Sequence, residues 1–247
     1  MKRSIFLDVA RGICLVSMFF FHGYYDLVYI FAKLPLGMSP SLWQMWQQSI
    51  VLGFILISGA ASYYAKHLVR RGIYLNLWGL ALTIGTAVFL PRETIIFGVL
   101  NFLGTAMLLV ALISFCLPCL EQNKARLAAL AFLSLLGFSL TQGLAQGYLG
   151  AYGFVLSRLE TVYTGMGAFI VGLPTQGIIS ADYVPLVPHF FVFLLGRVLW
   201  QYKLLSLPEA EPSLGAGGRH LAFLGRHSLI FYLSHQLFLY GLFSLLT

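Results

Sequence analysis

The 247-residue chain is 59% hydrophobic and only 9% charged, whereas about 25% of the residues in a soluble domain are charged. A water-soluble fold is excluded, because a mid-sized domain leaves about a third of its unfolded surface exposed to water. The apolar runs are continuous rather than alternating, which excludes a β-barrel and favours membrane-spanning helices. We therefore predict an all-α polytopic integral membrane protein, a bundle of seven to eight transmembrane helices, with residues 1–247 as one transmembrane domain.

The net charge is +7, but its distribution does not indicate a nucleic-acid partner. The basic residues stand singly or in twos and threes between apolar segments, which is how membrane proteins set their orientation. Cys116 and Cys119 have the C-x-x-C spacing, yet the second pair or histidine cluster that a zinc site needs is missing. We expect no metal and no permanently bound cofactor.

Seven apolar segments approach the roughly 20 residues that a membrane-spanning helix requires. In chain order they cover about residues 5–31, 46–64, 72–90, 95–117, 127–146, 184–202 and 227–246. The first contains charged residues and is followed by no A-x-A site, so we expect it to be retained rather than removed as a signal peptide. The stretch from Gly147 to Tyr183 is short and broken by Gly and Pro, which favours an interfacial or re-entrant element; an eighth span is the alternative.

The positions of the basic residues predict the orientation of the spans. With the N-terminus in the cytoplasm, the basic loops around residues 66–71 and 124–126 both lie inside. The basic linker that contains Lys203, Arg219 and Arg226 also lies inside if the stretch 147–183 does not cross the membrane. Seven spans are therefore the preferred count.

Four ionisable residues lie in the first predicted helix, where such residues are rare and usually mark a functional path. Arg11 follows Asp8 by three positions and Asp26 follows His22 by four, so each pair shares one helix face. The Asp8–Arg11 pair either anchors the helix at the inner interface or takes part in function. A histidine one turn from a carboxylate is a familiar way to orient an imidazole, so His22 and Asp26 are predicted to be functional.

Several short motifs occur in order along the chain. The first helix carries L-D-V-A-R-G and then H-G-Y-Y-D-L, and the second carries F-I-L-I-S-G. Further along the chain, similar motifs occur at residues 97–104 (F-G-V-L-N-F-L-G), 180–188 (S-A-D-Y-V-P-L-V-P) and 224–236 (L-G-R-H-S-L-I-F-Y-L-S-H-Q). Together these motifs resemble those of the bacterial heparan-α-glucosaminide N-acetyltransferase-like family of membrane acyltransferases, and they follow the family's order through nearly the whole chain.

This resemblance implies transfer of an acetyl group from cytosolic acetyl-CoA, used as a co-substrate, to an acceptor on the far side of the cell membrane. His22 is similar to the catalytic histidine of the superfamily; it takes a proton from the acceptor or carries the acetyl group, with Asp26 orienting it. Asp182 and Tyr183 are implied to bind a sugar hydroxyl, and Asn101 and His235 are candidate donors toward the oxyanion. The cations implied for the phosphates of CoA are Arg11, Arg70, Arg71, Lys124, Arg126 and Arg226.

Simpler interpretations stand beside these roles. Membrane orientation alone explains the basic residues of the loops, and Asn101 is equally compatible with a hydrogen bond between helices. The chain is much shorter than the animal lysosomal enzymes, so a small cell-envelope sugar is expected as the acceptor rather than heparan, and a homodimer is among the expected assemblies. A proton-coupled permease that uses His22 and Asp26 as a relay is the alternative function, although no internal repeat supports it. A relative that has lost catalysis is a third.

Overall fold

The structure is a computed structural model that describes residues 4–35, 37–118, 123–151, 154–159, 161–202 and 215–246. The chain divides into two compact units. The first, here called the terminal unit, comprises Met1–Ile57 and Leu207–Thr247, and the second, the central unit, comprises Ser58–Ser206. Each is described by itself, and the single domain expected from the sequence stays a prediction.

Long helices account for most of the described residues. They are α1 (Ile5–Tyr25), extended by a π-helical turn over Asp26–Ile30, α2 (Pro40–Ser62), α3 (Leu68–Phe89), α4 (Val99–Cys116), α5 (Lys124–Thr141), α7 (Leu186–Gln201) and α9 (Ser228–Leu246). Six of these segments are long and apolar enough to cross a membrane, and α7, with 16 residues, is a shorter apolar helix. They coincide with the seven predicted spans, which confirms the all-α polytopic membrane fold.

Two helix boundaries differ from the prediction in a way that matters for the basic residues. Arg70 and Arg71 lie in the first turn of α3, and Lys124 and Arg126 lie in the first turn of α5, not in loops. Hydropathy alone places these boundaries too late, because a charged first turn lowers the local average while the backbone is already helical. The start of α5 is capped by Asn123, whose side chain accepts a hydrogen bond of 2.8 Å from the Ala125 amide.

The stretch from Gly147 to Tyr183 contains a β-hairpin and a short helix, and no spanning helix occurs among its described residues. Strands β1 (Tyr148–Ala151) and β2 (Phe154–Arg158) pair antiparallel, with a register shift after Leu149. Gly150 is required at this bulge, since its φ is +145° and a Cβ would lie 1.9 Å from the Phe154 carbonyl oxygen. Helix α6 (Met166–Val171) follows. The hairpin was not predicted, because its strands are too short to show an alternating pattern.

Helix α8 (Ala216–Arg226) lies in a segment that the sequence analysis treated as a glycine-containing linker. Two glycines, Gly225 of α8 and Gly12 of α1, allow α8 to pack closely on α1 within the terminal unit. A Cβ at Gly12 would lie 2.1 Å from the Leu221 carbonyl oxygen, and one at Gly225 would lie 1.8 Å from that of Asp8. Small residues at both crossing points thus bring the two backbones together.

Replacing Gly225 by leucine should separate α8 from α1 and lower the free energy of unfolding by about 1–3 kcal/mol or more, as overpacking does elsewhere. The measurement is the fraction of folded protein after heating in detergent. Gly217→Leu is the matched control, because it lies in the same helix and a Cβ there meets nothing within 4 Å. Equal losses for the two variants would contradict the close packing of α8 on α1.

Each unit has its own packed interior. In the terminal unit, Leu15, Met18 and Phe21 of α1 pack with Ile50 of α2. In the central unit, α3 and α4 approach closely at Gly72 and Gly104, where a Cβ on either residue would lie within 2.8 Å of the other's carbonyl oxygen.

Candidate functional site

Two histidines face each other in the terminal unit. The ring of His22, on α1, lies 5.0 Å from the ring of His235, on α9, measured between centroids, with an angle of 55° between the planes. On its other side His22 meets the edge of Phe21, which itself stacks near Trp43 at 4.4 Å. The imidazoles therefore lie beside a layer of aromatic side chains rather than in open water.

One turn along α1, the carboxylate of Asp26 is completely buried. It accepts two hydrogen bonds from the amide nitrogen of Gln236, at 2.9 Å and 3.1 Å. Asp26 also begins the π-helical turn, in which the Phe31 amide donates to the Asp26 carbonyl at 2.8 Å. Such turns occur frequently at functional sites. The carboxylate thus contacts Gln236, on α9, a partner that was not predicted from the sequence.

The ring of His235 has a defined tautomer when it is neutral. Its Nδ1 lies 2.7 Å from the Tyr232 carbonyl oxygen, and because a carbonyl only accepts, Nδ1 must carry the proton. Nε2 then holds a lone pair. This atom is buried and, among the residues that the structure describes, has no hydrogen-bond partner. The same holds for the carbonyl oxygen of Gln236.

The other pair in α1 forms an ion-pair cluster with α8. Asp8 is 2% exposed, and its carboxylate lies 3.5 Å from Arg11 Nη1 and 3.3 Å from Arg226 Nε. Arg11 also donates to the Gly225 carbonyl oxygen at 3.3 Å. Arg11 is nearly buried, with 12% of its side chain exposed, whereas Arg226 is half exposed. Two of the cations predicted for CoA therefore neutralise Asp8.

In the central unit, the segments 94–97 and 180–184 pair with one another, and each carries one of the family-like motifs. The Ser180 hydroxyl accepts from the Ile96 amide at 2.8 Å, and the Ala181 amide donates to the Thr94 carbonyl at 3.1 Å. This pairing positions Asp182 next to Gly98, the residue before α4: a Cβ on Gly98 would lie 3.3 Å from a carboxylate oxygen of Asp182. The Asp182 carboxylate therefore lies at the N-terminus of α4, where the helix dipole stabilises a negative charge.

Tyr183 faces α6. Its hydroxyl donates a short hydrogen bond to the Phe169 carbonyl oxygen, and the two rings stack with centroids 4.1 Å apart. Burial raises the pKa of Tyr183 to about 12, so the phenol keeps its proton at neutral pH and acts as a donor.

Asn101 takes part in the contact between α3 and α4. Its side-chain amide donates to the Asn76 carbonyl at 3.4 Å, and its side chain occupies the space where a Cβ on Gly79 would lie. Thr105 donates to the Asn76 side-chain oxygen at 3.4 Å. These are hydrogen bonds between helices, the simpler of the two interpretations drawn from the sequence.

A cavity of about 740 Å³ opens beside the first turns of α3. Basic side chains contribute to its wall, and Arg70 is held there by Tyr74, whose hydroxyl lies 3.3 Å from Nη2 and whose ring lies 5.4 Å from the guanidinium carbon. The lining residues include Lys66, His67, Arg70, Tyr74 and Ser114. Of the other predicted cations of this unit, Arg71, Lys124 and Arg126 are exposed and do not line the cavity.

The sequence analysis missed two polar residues that lie in helices. Arg197 of α7 is 6% exposed and donates to the Ser62 hydroxyl at 3.3 Å, with its guanidinium 5.9 Å from the Tyr63 ring centre. A charge inside an apolar span was a signal that could have identified it. Gln236 carries no charge, so only its contact with Asp26 reveals it.

Cys116 is exposed and unpaired with any described cysteine, while Cys119 lies outside the described residues. Within the described ranges, no group of three or more histidine, cysteine and acidic side chains could hold a metal ion.

Comparison with known protein families gives one finding. The family model described as heparan-alpha-glucosaminide N-acetyltransferase, catalytic, matches residues 3–237. No curated protein and no solved structure matches the chain. Because the match covers nearly the whole sequence, including both His22 and His235, this chain belongs to the family of the heparan-α-glucosaminide N-acetyltransferase catalytic domain and is a multi-pass membrane acetyltransferase.

Proposed function

We propose that this protein transfers an acetyl group from cytosolic acetyl-CoA to a small carbohydrate acceptor on the extracytoplasmic side of the plasma membrane. The family supports the acetyl transfer. The observation that supports a catalytic centre is the cluster on α1 and α9, in which His22 lies 5.0 Å from His235 and one turn from a fully buried Asp26. Ionisable groups buried inside spans are costly to keep and mark functional paths.

In this proposal His22 is the general base, and it removes a proton from the acceptor as its nitrogen or oxygen attacks the acetyl carbonyl carbon. A base must be buried enough to exclude bulk water yet able to take a proton, and the aromatic layer of Phe21 and Trp43 meets the first condition. Asp26 is a positioning residue that acts through Gln236.

The donor site is proposed in the central unit, at the cavity beside α3. Acetyl-CoA carries several phosphate charges, and Lys66 and Arg70 supply cations on the wall of that cavity. Tyr74 holds the Arg70 guanidinium in one position, which lowers the entropy lost when a phosphate binds. Further phosphate contacts proposed in the central unit are the exposed Arg71, Lys124 and Arg126. A phosphate contact of Arg11 and Arg226 in the terminal unit stays a prediction, since both side chains already neutralise Asp8.

In the central unit, Asp182 and Tyr183 are proposed to bind a sugar hydroxyl. Asn101, in the same unit, and His235, in the terminal unit, are each proposed as a donor toward a developing oxyanion. Asp182 is supported by its carboxylate, which accepts hydrogen bonds and lies next to the first turn of α4. The case for Tyr183 as a sugar-binding residue is weaker, because its hydroxyl proton is already donated to the Phe169 carbonyl oxygen. Only the lone pairs of the hydroxyl are left to accept a hydrogen bond from a sugar.

The test is acetyl transfer by protein reconstituted in vesicles, with radiolabelled acetyl-CoA on one side of the membrane and a panel of amino sugars and neutral sugars on the other. We expect CoA release on the donor side that depends on the acceptor, and labelled acceptor on the opposite side. Folded protein that moves a sugar or protons across the membrane, with no release of CoA, would instead establish the permease.

A further inference from the structure

Strand β2 of the central unit exposes apolar side chains on both of its faces. Phe154, Val155 and Leu156 are 68%, 42% and 55% exposed. Because side chains alternate along a strand, Phe154 and Leu156 lie on one face of the hairpin and Val155 lies on the other. In water, an apolar edge strand pairs with other chains, and an isolated two-stranded hairpin is marginally stable at best. Something other than water must therefore cover this surface.

The hairpin adjoins a membrane-spanning helix. Helix α5 belongs to the apolar span Lys124–Gln146, and its exposed side chains, among them Phe132 and Leu133, are covered by lipid. Strand β1 packs beside the end of this span, where a Cβ on Gly143 would lie 2.0 Å from the ring of Tyr148. Strand β2 pairs with β1. The exposed strand thus lies at the boundary of the bilayer, next to a surface that lipid already covers.

The backbone and Arg158 limit how deeply the hairpin can enter the bilayer. Among the described residues, β2 pairs only with β1, so the polar groups along its other edge have no partner in the sheet. Hydrocarbon cannot satisfy such groups, whereas the hydrated headgroup region can. Arg158, the last residue of β2, is exposed and makes no hydrogen bond or ion pair with any described residue. Its long side chain can reach a phosphate while its stem stays against apolar neighbours.

A protein partner fits the hairpin less well than lipid does. A second copy of this chain, or another protein, would pack against one face and leave the apolar side chains of the opposite face in water. Lipid surrounds both faces at once. The positive charge of Arg158 at the end of the strand is also complementary to the phosphates of the headgroup region. These observations favour the phospholipids of the surrounding bilayer.

We infer that the β1–β2 hairpin inserts into the boundary between the headgroups and the acyl chains, in the leaflet where α5 ends. Phe154, Val155 and Leu156 lie among the upper acyl chains, and Arg158 binds a phospholipid phosphate. The amide of Leu159 donates to the Gly147 carbonyl oxygen at 2.7 Å, which closes the base of the hairpin so that it enters as one unit. This interaction goes beyond the proposed acetyl transfer and does not depend on it.

The insertion is tested on the unmodified chain, in nanodiscs that contain phosphatidylglycerol with a photoreactive diazirine high on one acyl chain. After illumination, mass spectrometry counts the lipid adducts on β2 and on the turn Pro91–Glu93. This turn joins α3 to α4 and, since successive spans alternate in direction, lies on the same side of the membrane. We expect adducts on β2 at least about tenfold more often than on the turn, whose charged side chains remain in water.

Equal adduct frequencies on β2 and the turn would overturn the inference. Adducts on β2 that occur in discs with one protein copy and vanish in discs with two copies would also overturn it, and would assign the surface to a second copy of the chain.

The phosphate contact of Arg158 is tested with a second photoreactive lipid, a diacylglycerol that has the same acyl chains and no phosphate. We expect the wild type to form adducts on β2 about fivefold more often with phosphatidylglycerol than with diacylglycerol, the preference that one basic residue provides near a membrane surface. Arg158→Gln should lose this preference and still insert, whereas Arg92→Gln, in the turn, should keep it. An unchanged preference in Arg158→Gln would show that Arg158 does not bind the phosphate.

Discussion

Replacing His22 by alanine should lower acceptor-dependent acetyl transfer by about 10²- to 10⁴-fold, the range by which general acid–base groups accelerate reactions. The His22 ring lies 5.0 Å from the His235 ring, between α1 and α9. Its removal therefore deletes the proposed base and leaves the exposed charges of the protein unchanged. The measurement is the rate of CoA release with a saturating amino-sugar acceptor, together with the affinity for acetyl-CoA.

The matched control is His220→Ala, since His220 is exposed on α8. It should leave both quantities unchanged. Because the donor site is proposed in the central unit, the affinity of His22→Ala for acetyl-CoA should remain within about twofold of the wild type, a difference of well under 1 kcal/mol. A His22→Ala protein that folds, binds acetyl-CoA and still transfers acetyl groups at the wild-type rate would rule out His22 as the base.

Replacing Asp8 by leucine should lower the free energy of unfolding by about 3–5 kcal/mol, the cost of removing one partner from a buried ion pair. Asp8 is 2% exposed and neutralises Arg11, whose side chain is 12% exposed. Without the carboxylate, the Arg11 guanidinium remains in a poorly hydrated position with an uncompensated charge. The measurement is equilibrium unfolding in mixed detergent and denaturant micelles, followed by circular dichroism.

The double variant Asp8→Leu/Arg11→Leu separates the lost ion pair from a simple packing defect. Removing both charges should be less destabilising than removing Asp8 alone, because an apolar pair of similar volume often replaces a buried ion pair at little cost. Additive losses in the two single variants and the double variant would show that Asp8 and Arg11 do not stabilise each other. Arg226 is half exposed and its charge can be hydrated, so Arg226→Leu should cost less than Asp8→Leu.

The candidate site was anticipated in part. The spacing of His22 and Asp26 predicts that both share one helix face; in the structure His22 lies in the last turn of α1 and Asp26 begins the π-helical turn that follows it. The partner of Asp26 was not anticipated, because Gln236 lies 210 positions away and an uncharged glutamine carries no signal in an apolar helix. The tautomer of His235 is likewise set by a backbone carbonyl whose position depends on the folded helix.

The basic residues also show that the sequence does not predict contacts between distant residues. Their positions next to apolar segments predict the orientation of the spans, a property that depends on composition along the chain. The sequence cannot separate cations that neutralise a buried carboxylate from those that line a cavity. Arg11 belongs to the first kind and Arg70 to the second, and only contacts between helices distinguish them.

The sequence by itself determined that this protein lies in a membrane, where its seven apolar helices run and which family it belongs to. The first two properties depend on the length and composition of continuous segments, since each spanning helix must satisfy its own backbone hydrogen bonds. The family follows from motifs that recur in order along the chain. The tertiary structure decided the helical state of 216–226, the pairing of Asp8 with Arg226 and the contact of Asp26 with Gln236. The two side-chain contacts join residues more than 200 positions apart, and α8 packs against α1 at Gly225. No local sequence pattern indicates such long-range contacts.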